Sequence, residues 1–460
     1  QSDVTAVAIS DDGNYAAAGT EDRELSFYSR TSSVALWTVE LENDVTSIDM
    51  SANGEYIAVG TGGNGYDYMY LFHKNSSVPL WEYEVNSEIY SVSISDDGNH
   101  IAMGSQNSGV YLFDKTGHVW TDWTGGYIYS VAISADGEYI TAGGTDENVY
   151  LYSKDSNEYL WKYRADGTIL TVSISANGEY IAAGGLNDNK LYAFHKNSSV
   201  PLWVYDAGEG VKFQSVSLSE EGSYLAVGYD YPLYSSSSIS VFEIGNEEPL
   251  WSDHSSDSVY SYATTVVVTK DSNYVLVATR EWGDYSDGNI IAYDTAHGTK
   301  LYEYELPDGD SSLNLGSSFT GKYFVVGSDN DLFYFFENPG AEEYVWDGEE
   351  LTEEEEELTE EEEEVTEEEE VTEEEEPDAN LILKEDFYYI SSESNELTTN
   401  NFTEEYGLLV NLDSFPAPAP TSILDLNGAT ICIVMGSHEE GTLSEYFAEN
   451  DMWYVSVPSA

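Results

Sequence analysis

The chain has 460 residues, of which 15 are Lys or Arg and 87 are Asp or Glu, so its formal net charge at pH 7 is −72. This charge argues against binding to nucleic acid or to anionic lipid, because both need clustered Lys and Arg. Hydrophobic residues make up 41% of the chain, so most of it is expected to fold. No apolar run is long enough to span a bilayer, and we expect no direct membrane insertion.

A block of four predicted strands recurs along the first three-quarters of the chain. The second strand follows an Asn-Gly or Asp-Gly type turn that suits a tight hairpin, the third is aromatic, and the fourth opens with Trp. No helical periodicity of useful length is present, so the fold class is all-β. The last residue of the first strand in each block is Ser10, Ser51, Ser95, Ser134, Ser175, Ser219, Thr269 and Ser318.

These repeats resemble the β-propeller repeats of the quinoprotein-like and WD-repeat-like families, particularly those of secreted prokaryotic, and most of all archaeal, proteins. Residues 1–347 are therefore expected to form an eight-bladed β-propeller, with seven blades as the alternative if the degenerate last repeat does not close the ring. A chain that starts at a first strand and ends at a fourth exchanges no strand across the closure. Many propellers do exchange one, so the means of closure is left open.

One large aromatic residue marks the fourth strand of each repeat. A Trp between adjacent sheets buries a large apolar area, so we predict a structural role between blades for all of them. The predicted residues are Trp37, Trp81, Trp120, Trp161, Trp203, Trp251, Tyr302 and Trp346.

Composition changes abruptly after the last repeat. Residues 348–377 form a Thr/Glu-rich acidic spacer, and within it residues 349–376 contain 20 Glu and no basic residue. Like charges one turn apart disfavour a helix, and the sequence leaves open whether the spacer is helical or extended. Residues 378–460 contain short β-like runs and are expected to form a small β-sandwich-like domain.

Enzyme signatures are nearly absent. The run Gly60–Gly65 matches a dinucleotide fingerprint but precedes a strand rather than a helix, so no helix N-terminus can hold a pyrophosphate. The quinoprotein-like resemblance implies a quinone with Ca²⁺, yet the vicinal Cys pair of many such enzymes cannot exist in a chain with one Cys. We therefore expect no enzyme activity, no catalytic residue, no cofactor and no defined metal site. Loose Ca²⁺ uptake at turn acids such as Asp188 is the exception allowed.

Glycosylation candidates follow from sequence motifs. Asn75, Asn197 and Asn401 each open an Asn-x-Ser/Thr acceptor, and the spacer residues Thr352, Thr359, Thr366 and Thr372 are candidates for O-linked sugars. The first residues run straight into a repeat strand, which favours a processed, secreted chain. We expect an extracellular, cell-surface location.

These observations favour a non-enzymatic structural protein, a subunit of a surface appendage, filament or coat. The propeller would be its rigid body, and the C-terminal part would dock on a neighbouring subunit or the surface, for example by strand addition of residues 380–383. The expected partners are further copies of the chain. The alternative is an adhesin or receptor that binds glycans or proteins through the inserts at residues 229–238 and 281–287, the second of which contains Trp282.

Overall fold

The structure is a computed structural model that describes residues 3–63, 66–231, 236–254, 261–281, 288–306, 312–329, 332–338 and 341, together with five short strands beyond residue 387. The chain divides into two compact units, residues 1–352 and 353–460. No helix in these described ranges has the length and apolar character needed to cross a membrane. Several predictions concern residues outside the described ones, namely the spacer 348–377, Trp282, Trp346, Asn401, Thr352, Thr359, Thr366, Thr372 and the run 380–383.

The first unit consists of successive antiparallel sheets, each made of strands that follow one another in the chain. Sheets 1 to 4 contain β1 Val4–Ile9, β2 Tyr15–Thr20, β3 Glu24–Ser29, β4 Trp37–Glu40; β5 Asp44–Met50, β6 Tyr56–Gly62, β7 Tyr68–His73, β8 Trp81–Glu84; β9 Ile89–Ile94, β10 His100–Ser105, β11 Gly109–Asp114, β12 Gly117–Trp123; β13 Ile128–Ile133, β14 Tyr139–Gly144, β15 Asn148–Ser153 and β16 Trp161–Arg164.

The same order continues in the second half of the unit, where one residue pair, Leu186 with Lys212, joins sheets 5 and 6. Sheets 5 to 8 contain β17 Thr168–Ile174, β18 Tyr180–Leu186, β19 Lys190–His195, β20 Trp203–Asp206; β21 Lys212–Leu218, β22 Tyr224–Tyr231, β23 Ser236–Glu243, β24 Trp251–His254; β25 Ser261–Val268, β26 Tyr274–Glu281, β27 Asn289–Asp294, β28 Lys300–Glu305; β29 Ser312–Ser317, β30 Tyr323–Ser328 and β31 Phe333–Glu337. Sheet 8 has three strands among the described residues.

The first strands of the sheets lie side by side around a common axis. Each of β1, β5, β9, β13, β17, β21, β25 and β29 contacts the next, and β29 contacts β1. The buried apolar residues lie between neighbouring sheets, and a typical cluster joins strands of sheets 1 and 2. This arrangement of four-stranded sheets around an axis is that of a β-propeller, as the sequence predicts.

The turn between the first and second strands places a glycine against the neighbouring sheet. Gly54 has φ +69°, and a Cβ there would lie 2.9 Å from Cδ2 of Tyr15 in the preceding sheet. The turn therefore needs glycine for its backbone conformation and also for close packing. Gly13 makes the same approach to Tyr323, so the contact between sheets 8 and 1 repeats the one between sheets 1 and 2.

Sheet 8 meets sheet 1 through contacts of the kinds used at the other sheet interfaces. Asn314 Nδ2 donates to the carbonyl oxygen of Thr5 at 2.6 Å, and Phe319 N donates to that of Asp11 at 2.8 Å. Arg30 lies over the Tyr323 ring at 4.1 Å, as Lys74 lies over Tyr15 in the next interface. In the described residues the closure involves no exchanged strand.

The second unit is described only as strands. They are β32 Tyr388–Ile390, β33 Leu397–Thr399, β34 Leu408–Val410, β35 Ile431–Val434 and β36 Tyr454–Val457. β32 pairs antiparallel with β33, β34 pairs antiparallel with β35, and β36 adds to β35 in the parallel sense. The small β-sandwich-like domain expected for residues 378–460 stays a prediction.

Candidate functional site

The predicted inter-blade aromatics that the structure describes, all but Trp346, lie at the interfaces between sheets. The indole rings are 5.3 to 5.7 Å from an aromatic ring on the third strand of the next sheet: Trp37 on Phe72, Trp81 on Phe113, Trp120 on Tyr152, Trp161 on Phe194, Trp203 on Phe242 and Trp251 on Tyr293. Most of the indoles also hydrogen-bond across the interface. At 2.6 to 2.8 Å, Nε1 donates from Trp37 to Lys74 O, from Trp120 to Lys154 O, from Trp161 to Lys196 O, from Trp203 to Ile244 O and from Trp251 to Thr295 O.

Trp81 and Tyr302 differ from this pattern. In the described structure, Trp81 Nε1 and the Tyr302 hydroxyl are buried without a hydrogen-bond partner. The carbonyl equivalent to those that accept the other indoles belongs to Lys115. It lies in a two-residue connection between β11 and β12, which is much shorter than the other outer hairpins. The shorter hairpin takes the backbone along a different path, so the acceptor is lost while the stacking on Phe113 remains.

Serines of the first strands connect neighbouring sheets along the axis. Their hydroxyls accept a backbone N–H of the next first strand at 3.0 to 3.3 Å: Ser47 from Val92, Ser91 from Val131, Ser93 from Ile133, Ser130 from Val172, Ser173 from Leu218, Ser215 from Val266 and Ser217 from Val268. The inner edge of each sheet would otherwise leave these N–H groups unpaired. The polar lining of the channel therefore has a structural task.

One end of the channel carries a charged group of residues, which we call the axial cluster: Asp11, Asp49, Asp96, Glu220 and Lys270. Lys270 belongs to sheet 7, and its Nζ donates to Asp11 Oδ2 of sheet 1 at 2.7 Å and to Asp96 Oδ1 of sheet 3 at 2.9 Å. These bonds join turns that are 259 and 174 residues apart in the chain. The lysine is thus a cross-link over the end of the channel.

The acids of the axial cluster outnumber its single cation. Burial, partly offset by Lys270, raises the pKa of Asp11 to about 6 and that of Glu220 to about 7. Burial also raises the pKa of Asp49 to about 6, although Ile94 N donates to its Oδ2 at 2.9 Å. Burial alone would lower the pKa of Lys270, but Asp11 and Asp96 outweigh that effect and raise it.

The opposite end of the channel also carries buried acid, here without a base. We call Asp44, Asp67 and Glu88 the loop-face acids. Asp44 begins the first strand β5 and Glu88 directly precedes the first strand β9, while Asp67 lies between β6 and β7. Burial, with the nearby charges of Glu88 and Asp44, raises the pKa of Asp67 to about 6. No Lys, Arg or His is among the groups that shift the pKa of Asp67.

The outer hairpins connect the third and fourth strands. An exposed aliphatic side chain immediately precedes the fourth-strand aromatic, in the hairpin itself in sheets 1, 2, 4, 5 and 6 and within the fourth strand in sheets 3 and 7. The residues are 41% to 54% exposed: Leu36, Leu80, Val119, Leu160, Leu202, Leu250 and Leu301. The glycosylation candidates Asn75 and Asn197 lie exposed in two of these hairpins. Both positions are therefore sterically open to modification.

The turn acids considered for loose Ca²⁺ binding are engaged locally. Asp188 accepts the Tyr192 hydroxyl at 2.8 Å, and Asp146 accepts that of Tyr150 at 2.5 Å. Within the residues that the structure describes, no group of three or more His, Cys, Asp or Glu side chains is placed to hold a metal ion. Gly60 to Gly62 continue strand β6, so this part of the glycine run lies in a hairpin rather than before a helix.

Sequence reasoning located the aromatic positions but not the axial cluster or the loop-face acids. The spacing of the repeats contained a signal for the first of these. The residue after each anchor is Asp, Ala, Asp, Ala, Ala, Glu, Lys and Phe in turn, so one base faces three acids at equivalent places. For Asp67 the sequence offers no comparable signal, because its burial and its proximity to Glu88 of the next sheet arise only when the sheets pack.

Two family models match parts of the chain. Residues 106–231 match the model described as outer membrane protein assembly factor BamB, and residues 1–29 and 77–114 match the WD domain, G-beta repeat. No curated protein matches. The resemblance to quinoprotein-like and WD-repeat-like repeats is thereby confirmed, whereas a secreted or archaeal origin stays a prediction.

Solved structures show the same fold. The Chaetomium thermophilum Sqt1 bound to the N-terminus of the ribosomal protein L10 is 17% identical, with a TM-score of 0.62 over 73% of this chain and 97% of that one. Saccharomyces cerevisiae Sqt1 is 12% identical, with a TM-score of 0.60 over 74% of this chain and 96% of that one. At these identities the likeness concerns the fold alone.

Proposed function

We propose that this chain is a non-enzymatic structural protein whose eight-bladed propeller is the rigid body of an extracellular assembly. The ring would contact neighbouring copies through its circumference, and the C-terminal unit would dock on a neighbour or on the cell surface. The spacer between them would act as an acidic tether.

The use of polar groups in the channel supports a scaffold rather than an enzyme. The serines that line the axis accept backbone N–H groups of the next strand, as Ser91 does from Val131. Lys270, the base of the axial cluster, is held by two carboxylates. Groups engaged in such bonds are poorly suited to act as nucleophile or general base.

The observation that carries the assembly proposal is the recurrence of an exposed aliphatic residue directly before the fourth-strand aromatic, at the outer edge of sheets 1 to 7. Single exposed apolar residues are common on protein surfaces. Here, however, seven sheets in succession present one at the same position, just before the inter-sheet aromatic. Val34, Val78 and Val200, each at least 70% exposed, enlarge three of these patches. A ring with equivalent apolar points on its rim is suited to repeated contacts with identical neighbours.

The experiment measures the size of the native particles by light scattering and electron microscopy as salt is increased. Self-repulsion opposes association at low salt, so assemblies are expected to grow as the charges are screened. The variant Leu80→Glu/Leu202→Glu is expected to reduce assembly strongly. Its control, Asn75→Glu/Asn197→Glu, adds the same charge to the same two hairpins and should assemble nearly as the wild type does. Equal behaviour of the two variants, or a monomer under every condition, contradicts the proposal.

The second candidate is a binding module that captures glycans or proteins. It is favoured by the position of the long inserts, because the connections after β22 and β26 emerge on the same face as the loop-face acids. A solved propeller of this fold holds the N-terminus of another protein. Loss of glycan-array or pull-down binding in Trp282→Ala, with assembly unchanged, would favour this candidate.

A further inference from the structure

Asp67 is a buried acid that forms no ion pair with the described residues. Its side chain is 1% exposed, and within the described residues Oδ1 has no hydrogen-bond partner. The backbone of the same residue is fixed, because Val85 N donates to its carbonyl oxygen at 2.8 Å. A buried carboxylate without a partner is unfavourable.

The charged groups that face Asp67 are both acidic. Glu88 and Asp44 raise its pKa; Asp44 begins β5 of the same sheet, and Glu88 directly precedes β9 of the next sheet. The only neutral polar contact of the Glu88 side chain in the described structure is Gln106 Nε2, at 3.4 Å from Oε2. A Cβ on Gly62 would lie 2.7 Å from Cγ of Glu88, and one on Gly63 would lie 3.5 Å from Oδ2 of Asp44, so both acids border the end of β6. Among the described residues, no Lys, Arg or His forms an ion pair with Asp44, Asp67 or Glu88. The axial cluster contains a base, Lys270, whereas the described residues supply no base at the end of the channel where Asp67 lies.

From this geometry we infer that the pocket formed by Asp44, Asp67 and Glu88 binds the side-chain ammonium or guanidinium group of a basic segment of a partner protein. The inserted cation donates to Asp67 Oδ1 and completes the hydrogen bonding that the chain leaves open. Tyr66 adjoins the pocket and is 64% exposed, so its ring face is available to the same cation.

A side-chain cation fits this pocket better than a metal ion does. Ca²⁺ needs six to eight oxygen ligands at about 2.3 to 2.6 Å. The three carboxyl groups are not placed within reach of one ion, since no such group is found among the described residues. A long Lys or Arg side chain tolerates this wider spacing, because it can bond one carboxylate directly and the others by their field.

The test uses the full chain and an octalysine peptide as the probe, followed by calorimetry and by amide hydrogen exchange. The spacer contains 20 Glu and also attracts the peptide, so only a comparison of isocharged variants is informative. Asp67→Asn/Glu88→Gln removes two charges from the pocket. Glu82→Gln/Glu84→Gln removes two charges from exposed positions on β8 of the same sheet and is the matched control.

We expect the pocket variant to lose at least tenfold in affinity for the tightest peptide site and the control less than twofold. Peptide binding to the wild type should slow amide exchange at residues 66–68 and 85–88. Equal losses in both variants, or protection confined to other residues, overturn the inference. Full protection of these residues by Ca²⁺ alone assigns the pocket to a metal and also overturns it. If residues 66–68 and 85–88 are already protected in the free wild type and lose this protection in Lys384→Met, the occupant is a segment of the chain itself. That result also overturns the inference.

Discussion

The two ends of the propeller channel treat buried acid in different ways. At one end, Lys270 holds Asp11 and Asp96 in a cross-link between distant turns. At the other end, roughly 20 Å away along first strands of six to eight residues, Asp67 is buried beside Glu88 and Asp44, and the described residues supply no base there. At the first end a base of the same chain holds two of the acids, while at the second end none of the described residues does so.

This difference indicates which end is structural and which is available. A buried charge that has its partner within the same chain contributes to the unique arrangement of the sheets. A buried charge without one lowers stability until a proton or an external cation arrives. The contrast therefore separates a cross-link from a binding position, although the residue types are alike.

The largest expected effect is the pH dependence of the wild type. Asp11, Asp49, Asp67 and Glu220 have folded-state pKa values raised to about 6 or 7, so the folded chain binds protons more tightly than the unfolded one. Their stabilising contribution is complete below about pH 4 and is lost as the pH rises through 6 to 7. We expect the free energy of unfolding to fall by on the order of 5 kcal/mol between pH 4.5 and pH 8. Denaturant titrations at fixed salt measure it, and a stability that rises with pH contradicts this assignment.

Removing the cross-link comes next. Lys270→Met leaves four acids of the axial cluster without a cation, and we expect a loss of about 3 kcal/mol at pH 8. The loss should shrink at pH 5, where protons replace the lysine. Lys300→Met, which removes an exposed pair with Glu303 at 3.1 Å, is the control and should cost less than about 0.5 kcal/mol. Similar losses in the two variants would show that the axial cluster has no special role.

For a loop-face acid we expect the opposite effect, namely that its removal stabilises the protein. Asp67→Asn removes the uncompensated charge at almost constant shape, so it should raise the free energy of unfolding by about 2 kcal/mol at pH 8 and by almost nothing at pH 4. Asp97→Asn provides the comparison, because Asp97 accepts hydrogen bonds from Asn99 and Ser95, and its pKa is lowered despite burial. That variant should not be stabilised at pH 8. A destabilised Asp67→Asn would mean that the carboxylate already has a partner.

The smallest effect concerns the inter-sheet indoles. Trp120→Phe removes a hydrogen bond to Lys154 O, whereas Trp81→Phe removes an N–H that has no acceptor in the described structure. Both lose similar packing, so the difference isolates the polar atom, and Trp120→Phe should be the more damaging by about 1 kcal/mol. Equal losses in paired denaturation curves would remove the distinction between the satisfied and the unsatisfied indole.

Much of the fold was predictable because it is local and repeated. The Asp-Gly and Asn-Gly turns, the alternating first strands and the fourth-strand Trp residues each lie within one sheet, and repetition multiplies the signal. The anchors Ser10 to Ser318 fall directly after the first strands β1 to β29. The match of Trp37 to the neighbouring Phe72 follows from the same period.

The repeats place Lys270 and three acids at equivalent positions, but the contacts of the axial cluster, the loop-face acids and the unpaired Trp81 were decided by the tertiary structure. Lys270 meets Asp11 because the ring brings sheet 7 close to sheet 1, and no local pattern contains that proximity. Asp67 is buried beside Glu88, which belongs to the next sheet, and in the described structure Trp81 lacks an acceptor because one hairpin of the next sheet is short. Local propensity and periodicity determine which strands form. Long-range packing determines which polar groups are left without water, and the candidate site depends on that second kind of information.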